Sequence, residues 1–320
     1  MVSVIILSYN YAQLIQKSID SVLSQTISDW ELIICDDCSQ DNSLDILSSY
    51  AAQHNIKIHV NPRNLGIYPN AETGIAHSRG KYIKILMADD WLHPDYLKET
   101  VALMERYPSM GLCSVRAELQ NSYGKILEVR CEPNKFSGFC AKKVAMTAST
   151  LHVNPIGNPS RVIFRRSAYD QVGGFDLDIE YCTEYDLWLR ILEDWDAGFL
   201  AKVLSYELQH TENATLSYYS NGRHLASGEQ MFVKLFRQHS FFKNRFLRQQ
   251  KVWLFGWSTY WENAYRQLWN NRPEELIALL KIVVRRSLPV FWVFFALWRF
   301  VVFVVRKSFA KYPLGKTEAV

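Results

Sequence analysis

The chain lacks a strong charge of either sign, a disulfide framework, a leader-like N-terminus and a glycine-rich phosphate loop. A formal net charge of +4 over 320 residues is too modest to make nucleic acid the expected partner. Six cysteines in a chain of this length do not read as a disulfide set. Cys35 and Cys38 form one CxxC, but no second CxxC and no His pair at zinc spacing accompanies it, so ordinary cysteines beside a loop are expected. The N-terminus opens directly on Val2-Ser3-Val4-Ile5-Ile6-Leu7, with no basic n-region and no small-residue cleavage site. That opening reads as a first strand, not a signal peptide, and predicts that the N-terminal part stays in the cytoplasm. No GxGxxG follows this run and no GxxxxGK(S/T) occurs, which disfavours the dinucleotide-binding fold and the P-loop.

What is present is ample for a core: 48% hydrophobic and 14% aromatic residues, enough for one large α/β domain plus an appendage, or for two domains. Short apolar runs rich in β-branched residues fall at Val2–Leu7, Trp30–Cys35, Ile56–Val60, Tyr82–Met87 and Gly111–Val115. Between them lie segments with helical spacing: Leu14 to Leu23 (with Asn10 as its expected N-cap), Leu44 to Tyr50, Asn70 to Ser78, and Leu97 to Met104 after Pro94. Strands alternating with helices predict a mainly parallel sheet with helices on both faces. Buried parallel strands read as continuous apolar runs, as these do.

The strand ends carry the polar residues. Lys84-Ile85-Leu86-Met87-Ala88-Asp89-Asp90-Trp91 runs from apolar strand into two adjacent carboxylates. Neighbouring like charges repel, so the pair calls for a divalent cation or for hydrogen bonds to sugar or ribose hydroxyls. The plainer alternative is a solvated turn leading into the next helix. Ser8-Tyr9-Asn10 and Asp36-Asp37 end two other strands, and all three clusters would share the carboxyl edge where ligands of such sheets bind. An Asp there can accept from a uracil ring N–H or from ribose hydroxyls. Further on, Thr183-Glu184-Tyr185-Asp186 places a possible N-cap and two acids at a helix start, which the helix dipole alone would explain. Gly173-Gly174-Phe175-Asp176 reads as a tight turn at which backbone approaches a ligand closely.

In order and spacing, these segments resemble the family 2 glycosyltransferases with the GT-A fold. The resemblance rests on Val2 to Asn10, Ser24-Gln25-Thr26, Asp36 to Asp41, Asn64-Leu65-Gly66, Gly80-Lys81-Tyr82-Ile83 and Ala88-Asp89-Asp90, and covers roughly residues 2 to 217. It implies a nucleotide-diphosphate sugar lying along the strand ends. Asp37, with Ser8, Tyr9 and Asp36, would hold the nucleoside; Asp89 and Asp90 would hold ribose and a Mg²⁺ or Mn²⁺ ion. The catalytic base of the Glu-Asp-type motif falls on Glu184, where the family more often has Asp, with Asp186 as runner-up. His210 lies in the stretch that closes the catalytic domain, where a His often approaches the diphosphate or metal; a structural role is the alternative. The implied reaction is a single displacement with inversion. Two departures stand out: Met87 replaces the first Asp of a full DxD, and Glu72 and Thr73 stand where Arg and Asn are common.

The composition changes after residue 217. Six of the ten Trp fall beyond position 250. From Leu276 onward eight Lys and Arg face one acid, Glu318, so the basic excess of the chain belongs to its tail. Such an excess beside apolar residues points to an anionic membrane surface. Ser287 to Val305 is a nineteen-residue apolar segment, broken by Pro289 and Arg299 and flanked by Arg285-Arg286 and Arg306-Lys307. Its length permits a span, but Arg299 and Pro289 favour an in-plane or re-entrant membrane helix; a buried C-terminal helix is the remaining alternative. The expected organisation is therefore a catalytic domain over 1–217, a helical extension over 218–284 and a membrane-associating tail over 285–320. The expected function is sugar transfer at the cytoplasmic face of a membrane to a lipid-linked or cell-surface saccharide. A nucleotidyltransferase would need a basic glycine-rich loop after the first strand, which is absent. A catalytically inactive nucleotide-sugar-binding protein is the rival outside enzymes.

Overall fold

The computed structural model describes residues 1–51, 55–130, 137–151, 154–179 and 182–210, together with 230, 231 and 234. The chain divides into two compact units, Met1–Asn213 and Ala214–Val320. The expected boundaries near 217 and 284, the helical extension and the apolar segment Ser287 to Val305 lie outside the described residues. Among the described residues no helix is long and apolar enough to cross a membrane.

The first unit begins with β1 (Val2–Ser8), α1 (Ile15–Leu23), β2 (Trp30–Asp36), α2 (Ser43–Ser48), β3 (Ile56–Val60), α3 (Ile67–Ala76) and β4 (Tyr82–Met87). Next come β5 (Trp91–Leu92), α4 (Tyr96–Arg106), β6 (Met110–Asn121), β7 (Ile126–Arg130), β8 (Gly138–Cys140) and α5 (Lys142–Leu151). A 3₁₀ turn (Pro159–Arg161), β9 (Val162–Arg165), α6 (Arg166–Val172), α7 (Thr183–Asp194) and β10 (Asp196–Gln209) complete the described part. The strands form one sheet in the order β3-β2-β1-β4-β9-β6-β10-β5, with β7 beside β6 and β8 beside β10.

Every residue of β1 is buried, because both faces of the strand are covered. On one face Val4, Ile6, Leu32 and Ile34 pack with Ile15, Ile19 and Val22 of α1, Leu47 of α2, and Leu97 and Met104 of α4. Truncating one of these side chains to Ala removes about 2–5 kcal/mol. On the other face α3 lies so close that a Cβ at Gly74 would sit 2.4 Å from Ile5 Cγ2 and 2.9 Å from Cys35 Sγ. The parallel registers set Ser8 opposite Asp36, and Leu7 opposite both Cys35 and Met87. The three strand ends therefore finish level, which is what assembles the site.

Three expectations need correction. The sheet is mixed, not mainly parallel: β9 runs antiparallel to both β4 and β6. The chain enters β9 from the 3₁₀ turn rather than through a helical crossover, and only the crossover enforces parallel pairing. Asn10 does not cap α1. It takes a left-handed φ of 59° and its side-chain oxygen accepts from Gln40 N at 2.7 Å, four residues ahead of the capping position. Thr183 is not an N-cap either. Cys182 occupies that position at φ 79°, and the Thr183 hydroxyl donates back to Ile179 O.

Candidate active site at the carboxyl edge of the sheet

The Asp36-Asp37 pair at the end of β2 builds the floor of the site. Asp36 is fully buried, and its carboxylate accepts from Ser39 N at 2.8 Å and from Ser39 Oγ at 2.6 Å, closing the turn after β2. Ser39 Oγ in turn accepts from Asn10 N at 2.8 Å, which ties that turn to the loop after β1. Asp37 Oδ1 accepts from Asn61 Nδ2 at 2.8 Å and Leu65 N at 2.9 Å, and Oδ2 accepts from Gly66 N at 2.8 Å. The Asn64-Leu65-Gly66 motif is thus held by Asp37. Asn61 also donates to Asn70 Oδ1, and Asn70 donates to Cys35 O, so the start of α3 is locked onto β2. A carboxylate offers about four acceptor positions, so Asp37 keeps room for one more donor. Ser8 Oγ at the end of β1 is buried and has no hydrogen-bond partner among the described residues. Tyr9, the next residue, is 41% exposed, so its ring stands open at the rim.

Beyond the end of β4 the two neighbouring carboxylates part ways. Asp90 turns inward: Leu208 N donates to its Oδ1 at 3.2 Å and the Ser160 hydroxyl bonds to it. Burial raises the Asp90 carboxyl well above the usual carboxylate range, and the charges of Asp89 and Glu207 push the same way. Lys84 lies fully buried in β4, with Nζ donating to the carbonyls of Pro159 (3.0 Å), Ser160 and Val162 (3.4 Å) and facing the Tyr96 ring. Burial drives its ammonium well below the ordinary range, and Asp90 and Glu207 counter that by favouring the charged form. Lys84 is therefore the internal counter-charge of the acidic cluster.

Asp89 faces the other way, with Oδ2 3.0 Å from His210 Nε2. The antiparallel pairing of Tyr206 with Trp91 brings His210 and Glu207 to the end of β4. The His210 ring also meets Tyr11 edge-on at 5.8 Å. Among the described residues no three His, Cys, Asp or Glu are gathered into a metal cage. Asp89 leaves room for a different kind of site, in which Mg²⁺ is held by one or two carboxylates and completes its shell with waters and substrate phosphates.

Glu184 and Asp186 both lie in the first turn of α7, but their partners differ. Asp186 is 2% exposed and pairs with Arg190 Nε at 2.7 Å, while Arg190 donates from Nη1 to Val172 O and from Nη2 to Gly174 O at 2.8 and 2.7 Å. Its charge organises the Gly173-Gly174 turn. The two glycines have φ of 79° and 77°, and a Cβ on Gly174 would meet the Tyr169 hydroxyl at 2.9 Å and Glu72 Oε1 at 3.0 Å. The close approach at this turn is thus to side chains of the protein itself. Glu72 accepts from the Tyr169 hydroxyl and from Phe175 N, so it anchors the same turn. Glu184 is half-buried and accepts from the Tyr68 hydroxyl at Oε2. Desolvation raises the Glu184 carboxyl above its ordinary value, and the Tyr68 hydroxyl and a backbone N–H partly offset this. A carboxylate so placed is a stronger proton acceptor than an exposed one.

Four site residues carried no signal in the sequence. Lys84 looked like any strand residue, Tyr68 meets Glu184 across 116 positions, and Ser160 and Glu207 reach Asp90 only through the sheet. Glu207 is 3% exposed and paired with Arg130.

Carboxylates gathered where parallel strands end, with Glu184 on a neighbouring helix, suit a polar, hydroxyl-bearing ligand. The comparisons with known proteins agree. Residues 3–173 match the model of glycosyl transferase family 2, and the chain belongs to that family. EpsE of Bacillus subtilis, itself assigned provisionally as a glycosyltransferase, is 29% identical over 221 residues, covering 67% of this chain and 74% of EpsE. A chondroitin synthase of Escherichia coli is 28% identical over 222 residues, which cover 68% of this chain but 30% of the synthase. The chain thus spans less than a third of that relative. Among solved structures, S. aureus TarS 1-349 in complex with UDP-GlcNAc superposes with a TM-score of 0.59 at 15% identity, covering 87% of this chain and 88% of that one. The Pyrobaculum calidifontis mannosyltransferase in complex with GDP-Man and Mn²⁺ gives a TM-score of 0.62 at 19% identity, covering 97% and 80%.

Proposed function

We propose that the chain transfers a sugar, with inversion, from a nucleotide-diphosphate donor to a hydroxyl of a lipid-linked or cell-surface saccharide, at the cytoplasmic face of a membrane that residues 285–320 contact. The observation that carries this reading is Glu184, a half-buried carboxylate made more basic by burial and steadied by the Tyr68 hydroxyl. A polysaccharide acceptor is supported by the similarity to chondroitin synthase, and a UDP-sugar donor by the fold shared with TarS, whose structure holds UDP-GlcNAc.

In this reading Glu184 accepts the proton of the acceptor hydroxyl. The freed oxygen attacks the anomeric carbon from the side opposite the diphosphate. The bond from that carbon to the diphosphate oxygen breaks, and the nucleoside diphosphate leaves with the electron pair. Ser8 Oγ, Tyr9 and the remaining acceptor position of Asp37 hold the nucleoside, while Asp36 shapes the turn beneath it. Asp89, with His210 beside it, would hold Mg²⁺ or Mn²⁺; when bound, the ion supplies positive charge to the departing diphosphate. Asp90 acts from behind, held by Ser160 and Leu208 and balanced by Lys84. The test is product stereochemistry. The full chain in mild detergent, with Mn²⁺ or Mg²⁺, is offered UDP-, GDP- and dTDP-sugars and a lipid-linked saccharide acceptor, and the product's anomeric configuration is read by NMR. Inversion supports the reading; a retained configuration rejects Glu184 as the base of a single displacement.

A further inference from the structure

We infer that Tyr68 is a positioning residue for the transfer step, directing the Glu184 carboxylate through a hydrogen bond from its hydroxyl to Oε2. The inference rests on the proposed role of Glu184 as base and deepens it. Two supports hold Tyr68 in place, the anchored start of its helix and the packing of its ring. Tyr68 is the second residue of α3, and that helix follows Gly66 at its N-cap, whose φ is 91° and whose N–H is fixed at 2.8 Å by Asp37 Oδ2. The preceding N–H, of Leu65, is fixed by Asp37 Oδ1. The Tyr68 ring packs on Phe175 at 5.0 Å, and the Phe175 N–H is itself held by Glu72 at 2.9 Å. Phe175 is braced in turn by Tyr169 at 5.8 Å. The anchored helix start and the ring packing together direct the hydroxyl toward Glu184.

The consequence for Glu184 is orientation. With the phenol on Oε2 and the Glu184 N–H also at the carboxylate, the group is held in one orientation for taking the acceptor's proton. The titratable groups facing Glu184 are the Tyr68 hydroxyl from α3 and the Cys182 thiol from the start of its own helix. Burial and the Glu184 charge raise both of them, the phenol well above its ordinary range, so both stay protonated and the phenol is a donor at every working pH. A base oriented by a third group is the general arrangement for activating a hydroxyl nucleophile. The chain Asp37–Gly66–Tyr68–Glu184 also links the residues assigned to the nucleoside with the base, so that one loop and one helix start set both.

The test compares Tyr68→Phe with Glu184→Gln in the full chain. Phe keeps the ring on Phe175 and removes only the hydroxyl, so the chain still folds, with a melting temperature lower by about 3–12 °C for the one lost hydrogen bond to a charged group. With whichever UDP-, GDP- or dTDP-sugar releases nucleotide, Tyr68→Phe is expected to lower kcat about 10- to 100-fold with the donor KM within about twofold. The acid limb of kcat should move to higher pH, because the ionised carboxylate has lost a donor. A second readout needs no turnover: in ¹³C-Glu-labelled protein, the carboxyl signal missing from Glu184→Gln should titrate at higher pH in Tyr68→Phe. If kcat, the acid limb and the ¹³C titration of Tyr68→Phe all match the wild type while Glu184→Gln is inactive, the inference about Tyr68 is overturned and the base assignment stands. If Glu184→Gln turns over like the wild type, the base assignment itself fails, and the inference with it.

Discussion

Replacing Asp37 with Asn separates the structural work of this carboxylate from any contact with a donor. Asp37 receives three hydrogen bonds, from Asn61 Nδ2, Leu65 N and Gly66 N, all between 2.8 and 2.9 Å, and is 3% exposed. Asn offers one carbonyl oxygen. Turned toward Asn61 and Leu65, it keeps two bonds without charge assistance and sets its NH₂ against the Gly66 N–H. Gly66 then retains only the Asn64 side-chain oxygen, at 3.1 Å. Hydrogen bonds to a charged group are worth about 1.5–3 kcal/mol and neutral ones about half that, so one lost bond and two weakened ones amount to roughly 3–6 kcal/mol. Against a typical total stability of about 5–15 kcal/mol this is a large fraction. At about 2–4 °C per kcal/mol for a unit of this size, the melting temperature should fall on the order of 6–24 °C. Near-UV circular dichroism of the detergent-solubilised chain, without nucleotide, gives the melting point, and hydrogen exchange gives the protection of the Leu65 and Gly66 amides. A melting point within about 1 °C of wild type, with both amides still protected, would refute the assignment of Asp37 as the anchor of this loop.

Three further perturbations follow from the same geometry. Gly74→Ala should destabilise by about 1–3 kcal/mol in denaturant unfolding, although Ala is ordinarily the better helix former, because its Cβ would lie 2.4 Å from Ile5 Cγ2 and force α3 off the sheet; a gain in stability would show that α3 does not pack so closely. Lys84→Met should cost about 3–5 kcal/mol by the same measurement, since it strips the counter-charge from Asp90 and Glu207 and leaves the Pro159 and Ser160 carbonyls of the 3₁₀ turn without their donor. Glu184 should give the rate an acid limb above the ordinary carboxylate value of 4.5, because burial favours the protonated form and only the ionised form accepts a proton. The rate then falls as pH drops through that raised value, and a limb at or below 4.5 would contradict it.

The first four strands and the helices between them were legible because each is a local pattern. Val2–Ser8 is a buried run of β-branched residues, and α1 shows one apolar face at Ile15, Ile19 and Val22. The direction of β9 was not legible, since antiparallel insertion between β4 and β6 is decided by tertiary pairing across many residues. The capping roles of Asn10 and Thr183 misled for a related reason. Both side chains prefer local backbone partners, and here Asn10 is recruited by Gln40 and Thr183 by Ile179. In the site, the residue types at the strand ends announced themselves, but their division of labour did not. Adjacent carboxylates look alike in sequence, yet Asp90 is turned to Leu208 and Asp89 to His210, and Asp36 closes a turn where Asp37 holds a loop. Their partners, Lys84, Ser160 and Glu207, are ordinary in sequence and become special only by burial.

The most direct measurement is nucleotide release by the wild type and by Glu184→Gln, side by side, from UDP-, GDP- and dTDP-sugars with Mn²⁺ or Mg²⁺ and a lipid-linked acceptor. Release of one nucleotide by the wild type, reduced at least about 100-fold in a Glu184→Gln protein that still binds that nucleotide, is the expected result. Silence of the folded wild type across the panel would contradict it and leave a nucleotide-sugar-binding protein, and equal release by the two proteins would remove Glu184 from the chemistry.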